Sequence, residues 1–194
     1  MINPEKITDF QRTDSQLEEL MLFAVLVAGK NARTQALKLE QFLGENVKHP
    51  FKFISNLILS GSLRDVMKNH GLGKYNLMEK SFQCLVDNFS DGRLRTASIE
   101  ELEKVPGVGM KTARFFVLHS RENSQVSVID THLLKYLSRE FPDIPMPKTT
   151  PQKISPYLQL EELFLSECRK KNVTPYDGDL TCWRTQGRTI AYEF

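Results

Sequence analysis

The chain has 194 residues, enough for one sizeable core or two lobes, and its 40% hydrophobic and 26% charged residues are typical of a soluble globular protein. Its formal net charge of +2 excludes a broad basic face, so any contact with a polyanion has to be local. The chain contains no run of 18 apolar residues and only three scattered cysteines, so we expect no membrane partner, no disulfide framework and a reducing cytoplasm.

Helical periodicity dominates the chain, and strand-like alternation is nearly absent. Ser15 and Glu18 have the spacing of a capping box and start a very apolar helix. Capping residues, prolines and glycines predict the later helices, in chain order, over 33–43, from Pro50, from Ser62 to before Gly71, over 76–89, after Ser98, and over 110–121, 131–140, 155–171 and 176–186. About ten short helices without a strand-forming block predict an all-α fold.

A boundary near 25–30 and another near 125–140 would divide this single unit of 1–194 into two predicted helical lobes. Residues 30–125 form the central lobe and contain a hairpin at 102–115. Residues 1–29 together with 126–194 form the second lobe.

The hairpin has the composition of a backbone turn that binds phosphate. Pro106 ends the preceding helix, and Gly107 and Gly109 permit positive φ and remove side chains where a ligand approaches. The next helix then presents unpaired N–H groups that suit a phosphate oxygen. The alternative is a plain helix–turn–helix corner.

Lys111 and Asp130 are the candidate reactive residues. A lysine in the first turn of a helix faces the positive end of the dipole, which favours a neutral, nucleophilic amine. Asp130 follows the apolar segment 126–129, so we expect its carboxylate to emerge from a buried segment. The alternatives are a solvated surface lysine and an ordinary helix N-cap.

The segments LEKVPGVGMKTA (102–113) and VIDTH (128–132) resemble the helix-hairpin-helix base-excision DNA glycosylases. The pattern of that superfamily is Leu-Pro-Gly-Val-Gly-x-Lys, followed by Val-Asp-Thr-His. The resemblance implies two α-helical lobes with the hairpin and the lesion pocket at the cleft between them. It also implies a monomer that acts on damaged duplex DNA, at the nucleoid or, in a eukaryote, in the nucleus.

The resemblance assigns roles residue by residue. Lys111 matches the lysine that attacks C1′, forms a Schiff base and cleaves the strand by β-elimination, and Asp130 matches the acid that supports it. Gly107 and Gly109 match the glycines whose N–H groups bind phosphate. The carbonyl groups that match a K⁺ or Na⁺ site of the family belong to Glu103, Val105 and Val108.

The C-terminal region resembles the compact 8-oxoguanine branch, without the N-terminal β-domain of the larger enzymes. Cys168 and Cys182 are too few for the iron–sulfur cluster of the endonuclease III branch, so we expect neither a cluster nor a required cofactor. Candidate base-pocket residues are Asp179, Trp183 and the terminal Phe194; their alternatives are a helix cap, a core Trp and a free tail. The segment GKNARTQAL (29–37) resembles the part of that branch that contacts the orphaned strand, making DNA-binding candidates of Lys30, Asn31 and Arg33.

The sequence therefore predicts a bifunctional DNA glycosylase and lyase that excises an oxidised base, with 8-oxoguanine favoured. Two alternatives are open: an endonuclease III-like activity on oxidised pyrimidines without a cluster, and a non-catalytic helix-hairpin-helix binding module.

Overall fold

The structure, a computed structural model, describes residues 2–189 apart from the side chain of Val47. This part of the chain contains no β-strand, which confirms the all-α prediction. No helix in it is long and apolar enough to cross a membrane. The helices are α1 (Asp14–Val27), α2 (Ala32–Leu43), α3 (Pro50–Leu59), α4 (Leu63–Asn69), α5 (Tyr75–Phe89), α6 (Ile99–Leu102), α7 (Met110–Ser120), α8 (Thr131–Glu140), α9 (Ile154–Lys170) and α10 (Pro175–Arg184).

The start of α1 differs from the prediction. Thr13 and Gln16 form the capping box, two residues earlier than the predicted Ser15 and Glu18. The Ser15 hydroxyl instead donates to the Lys48 carbonyl at 2.6 Å. Glu18 accepts the backbone N–H of the residue after Pro50 at 2.9 Å, so it caps the N-terminus of α3.

Seven consecutive residues of α1, 20–26, are buried, so this helix is apolar on every side. It packs against α2, α3 and α5, and these contacts form the core of a first compact unit that ends at Phe116. The second unit begins at Val117, and within it α10 packs against α8 and α9. Tyr136, Tyr157 and Phe164 are fully buried there.

This division differs from the predicted grouping, which placed residues 1–29 with 126–194. The structure places residues 1–29 with the first unit, because the buried faces of α1 are covered by helices from that unit. An apolar helix carries no sequence signal for which neighbours cover it.

Candidate functional site

A capped short helix leads into the hairpin. Ser98 and Glu101 exchange the two hydrogen bonds of the predicted capping box, at 3.1 and 2.7 Å, and so start α6. After Pro106 the chain turns through Gly107, and the Val108 N–H closes the turn on the Val105 carbonyl at 2.9 Å. Helix α7 begins two residues later, at Met110, completing a helix–turn–helix arrangement at the predicted position.

The two hairpin glycines serve different purposes. Gly107 has φ +83°, and a Cβ there would lie 3.2 Å from the Leu77 side chain, so backbone conformation and packing both favour glycine. Gly109 does not adopt the positive φ that glycine permits. A Cβ on Gly109 would meet nothing within 4 Å. The fold therefore tolerates a side chain at Gly109 and leaves that position open to an approaching ligand.

Buried contacts hold the hairpin in place. Val105 and Val108 are almost fully buried, so their side chains attach the turn to the core. The Arg114 guanidinium, also buried, pairs with the Glu103 carboxylate at 3.1 Å. This ion pair connects the first turns of α7 with the end of α6, so the residues between them are held rigidly.

Lys111 lies in the first turn of α7, and its side chain is half-buried. The next residues, Thr112 and Ala113, are buried and attach this side of the helix to the core. Within the described part of the chain, no hydrogen bond or ion pair engages the Lys111 amine. The amine is thus positioned by its helix and available to a ligand.

The three carbonyl groups predicted to bind a monovalent cation differ in whether they accept a hydrogen bond from the protein. The Val105 oxygen accepts the Val108 N–H, whereas no hydrogen bond among the described residues ends on the Glu103 or Val108 oxygen. Carbonyl oxygens suit hard cations, and no N–H group of the described residues competes for the Glu103 and Val108 oxygens. The donor set fits a monovalent cation, and the cation itself stays a prediction.

The extended segment before Asp130 is held by side chains of α9. The Tyr157 hydroxyl accepts the Ile129 N–H at 3.1 Å and donates to the Ser127 carbonyl at 2.9 Å. Glu161 accepts the Ser127 N–H at 2.7 Å. These side chains provide the hydrogen bonds that a neighbouring strand would otherwise provide. Tyr157 and Glu161 are not predicted from the sequence, where their only signal is an i, i+4 spacing on a buried helix face.

Asp130 caps α8, as the simpler interpretation predicted. Its Oδ1 atom accepts the N–H groups of His132 and Leu133, each at 2.8 Å. Every hydrogen bond that the structure gives this carboxylate ends on Oδ1. The cap therefore fixes the orientation of the carboxylate and leaves Oδ2 available.

Asp179 lies inside α10, whose N-cap is Thr174, so the helix-cap alternative for Asp179 is wrong. Its Oδ2 lies 3.3 Å from Nε2 of His119, which is fully buried, while the Asp179 side chain is 13% exposed.

Burial raises the pKa of the Cys182 thiol, and the nearby Asp179 and Asp130 carboxylates raise it further. The two acids therefore lie in the same region of the second unit.

Trp183 is half-buried on α10, so part of its ring can be reached by a ligand. Phe194 lies outside the described residues, and the proposed contact from its terminal carboxylate stays a prediction.

The residues predicted to contact the orphaned DNA strand lie at the start of α2, and each of them has a partner within the protein. Asn31 caps the helix through its Oδ1 atom. Arg33 pairs with Glu5 on the surface, and Lys30 donates to the Leu72 carbonyl at 2.7 Å. Their contact with DNA stays a prediction.

Comparisons with known proteins agree with this geometry. A family model described as the helix-hairpin-helix motif matches residues 92–114. The 8-oxoguanine DNA glycosylase of Thermotoga maritima is similar in structure, with a TM-score of 0.67 and 18% identity over 92% of this chain and 84% of that one. The 8-oxoguanine glycosylase/lyase of Methanocaldococcus jannaschii, solved with a 15mer DNA containing 8-oxoguanine, has a TM-score of 0.67 and 16% identity over 96% of this chain and 88% of that one. Curated protein sequences give no match. The chain therefore carries a helix-hairpin-helix motif and has the fold of these two proteins.

Proposed function

We propose that this protein is a DNA glycosylase with lyase activity at abasic sites, and that it excises 8-oxoguanine from duplex DNA. The observation that carries the proposal is the half-buried Lys111 amine, which has no partner among the described residues and lies two residues after the open position Gly109. A module that only binds DNA needs no such amine, and it needs no carboxylate oriented like that of Asp130.

In the first proposed step, the neutral Lys111 Nζ donates its lone pair to C1′ of the damaged nucleotide. The N-glycosidic bond breaks, and its electron pair leaves with the base, which takes up a proton. Oδ2 of Asp130 stabilises the positive charge that develops on the sugar and accepts a proton from the attacking amine. The hydrogen bonds to Oδ1 keep the carboxylate in one orientation, which lowers the reorganisation that this step requires.

In the second step, the nitrogen lone pair forms the C1′=N bond as the C1′–O4′ bond opens, and O4′ takes up the proton that Asp130 accepted, which leaves a protonated Schiff base between Lys111 and C1′. The iminium group makes the C2′ proton acidic, and loss of that proton expels the 3′ phosphate. The strand therefore breaks 3′ to the lesion. Hydrolysis of the imine by one water molecule releases Lys111.

The hairpin has a positioning role in this proposal. The N–H groups at the start of α7 are suited to a backbone phosphate. A monovalent cation, when bound to the Glu103, Val105 and Val108 carbonyls, would neutralise part of the charge on that phosphate. The target base has to leave the duplex to be reached, so a base pocket is also required.

The preference for 8-oxoguanine is supported by the similarity in fold to two 8-oxoguanine glycosylases. 8-Oxoguanine differs from guanine by an N7–H donor and a C8 carbonyl, so its reader needs a well-placed acceptor. Asp179 carries a carboxylate that His119 orients, and Trp183 offers a partly exposed ring for stacking. The Phe194 carboxylate is a second candidate acceptor.

The proposal is tested by borohydride trapping on duplexes that each carry one lesion: 8-oxoguanine, an oxidised pyrimidine or an abasic site. We expect a covalent adduct with 8-oxoguanine and with the abasic site, because both react through C1′. An adduct with the oxidised pyrimidine but not with 8-oxoguanine would favour the endonuclease III-like alternative. Absence of any adduct would contradict the lyase proposal.

Gly109→Ala should weaken DNA binding without unfolding the protein. A Cβ at this position meets no protein atom, so we expect the free energy of unfolding to fall by no more than about 1 kcal/mol. The same methyl group would obstruct a phosphate at the α7 N-terminus, so the Kd for duplex DNA should rise at least several-fold. Binding titrations and chemical denaturation measure the two effects.

Gly107→Ala is the matched control for this prediction. We expect it to lower stability more than Gly109→Ala, because Gly107 has a left-handed backbone and contacts Leu77. Unchanged DNA affinity in a folded Gly109→Ala protein would count against phosphate binding at the hairpin.

A further inference from the structure

Three lysines of the first unit converge on one turn, residues 70–74. Lys38 and Lys30 donate to successive carbonyls of this turn, at 2.6 and 2.7 Å. Lys74 ends the turn with φ +49° and is the residue before α5. Its Nζ lies 3.4 Å from the Ala28 carbonyl, two residues before Lys30. The turn thus gathers three cationic side chains from separate parts of the chain.

No ion pair in the described part of the chain reaches any of these lysines. Burial lowers the pKa of Lys30, and the charges of Lys74 and Lys38 lower it further. Each ammonium group has three donors, and the structure gives each of them one acceptor. An anion with several oxygens would use the remaining donors and reduce the mutual repulsion.

The N-terminus of α5 adds backbone donors at the same place. This helix has 15 residues, and the side chain of Lys74, its N-cap residue, makes no capping hydrogen bond to it. The N–H groups of Leu77 and Met78 reach the Lys74 carbonyl, whereas those of Tyr75 and Asn76 have no acceptor among the described residues. Unpaired N–H groups beside a cluster of cations are typical of a phosphate site.

Helix α5 also connects this turn with the hairpin. Leu77 lies where a Cβ on Gly107 would point, and the Ser81 hydroxyl hydrogen-bonds the Pro106 carbonyl. From Lys74 to Ser81 the helix rises about 10 Å, which is roughly three nucleotides along one strand. One duplex can therefore reach both places.

We propose that Lys30, Lys38, Lys74 and the N-terminus of α5 bind a second backbone phosphate of the DNA that the hairpin holds. The inference rests on the proposed function, since it takes the ligand to be DNA. A purely structural alternative is that Lys30 and Lys38 only stabilise the carbonyl end of α4, where cations are favourable.

The test compares a triple variant, Lys30→Gln, Lys38→Gln and Lys74→Asn, with a control that loses the same charge. Asn is chosen at position 74 because it tolerates a left-handed backbone. The control replaces three exposed lysines of the same unit with Gln; these are Lys6, Lys52 and Lys80. The Kd for an undamaged duplex is measured at several salt concentrations, with thermal denaturation of each protein.

We expect the triple variant to bind several-fold more weakly and to reduce the slope of log Kd against log salt by about 0.9, the value for one phosphate. The control should leave the slope nearly unchanged. An unchanged slope in a destabilised triple variant would show that the lysines only cap α4. An equal loss in the control would mean diffuse attraction, which also overturns the proposal.

Inorganic phosphate distinguishes the source of the ligand. Binding of phosphate through these lysines would appear as NMR shifts of the wild type that the triple variant loses. If those shifts occur while the wild type and the triple variant have the same salt slope for DNA, the site binds a free anion and the assignment to DNA is wrong. Undamaged duplex is used throughout, so a failure to excise any lesion would leave this measurement intact. The failures of the two proposals are therefore distinguishable.

Discussion

Lys111→Gln is expected to abolish the borohydride-trapped adduct and strand cleavage on both 8-oxoguanine and abasic duplexes. Glutamine is one atom shorter than lysine and stays polar, but its amide nitrogen has no basic lone pair, so no Schiff base can form. The adduct should fall to the background of the assay. Denaturing gel electrophoresis after reduction measures it.

The control for this variant is Lys104→Gln, which removes an equal charge from an exposed position in the same motif. We expect it to trap DNA as the wild type does at saturating duplex. Lys111→Gln should still bind DNA, because one lost charge weakens binding only a few-fold. Continued trapping by folded Lys111→Gln would assign the nucleophile to another amine.

Asp130→Asn should lower the rate of base excision by about 10²- to 10⁴-fold, the usual range for loss of an acid–base group. Asn is as good an N-cap as Asp, so its Oδ1 can still accept the His132 and Leu133 N–H groups. The free energy of unfolding should stay within about 0.5 kcal/mol of the wild type. Single-turnover kinetics and denaturation measure these two quantities separately.

Two further variants separate the chemistry of Asp130 from its role as a cap. Asp130→Ala should lose the same activity and also about 1 kcal/mol of stability, because it removes the cap. Asp177→Asn changes another carboxylate in the first turn of a helix, on α10, and should leave excision unchanged. If Asp130→Asn retained excision within ten-fold of the wild type, the carboxylate would be a cap and nothing more.

Most helix boundaries could be predicted because their signals are local. The predicted helix 131–140 and the observed α8 coincide, since Asp130 satisfies backbone donors only two and three residues away. The capping box of Ser98 and Glu101 has the same local character. Pro50 likewise starts α3, where its missing N–H costs nothing.

Predictions that depended on distant partners were less successful. Ser15 and Glu18 have the correct spacing for a capping box, but their side chains bond to Lys48 and to Phe51 N–H, each 33 residues away. Thr13 and its own partner form the box instead. The spacing of residues along the chain does not show whether a side chain will bond to a local backbone group or to a distant one that folding brings close.

The all-α class, the hairpin, and the positions of Lys111 and Asp130 at the starts of two helices could be predicted from the sequence. These features are set by atoms within about four residues of each other, so they can be read in chain order. The tertiary structure alone decided that α1 joins the first unit and that Asp179 pairs with the buried His119. It also brought Lys30, Lys38 and Lys74 to one turn. Such contacts join residues that are far apart in the chain. Burial and electrostatics decide which residues meet, so sequence spacing does not predict them.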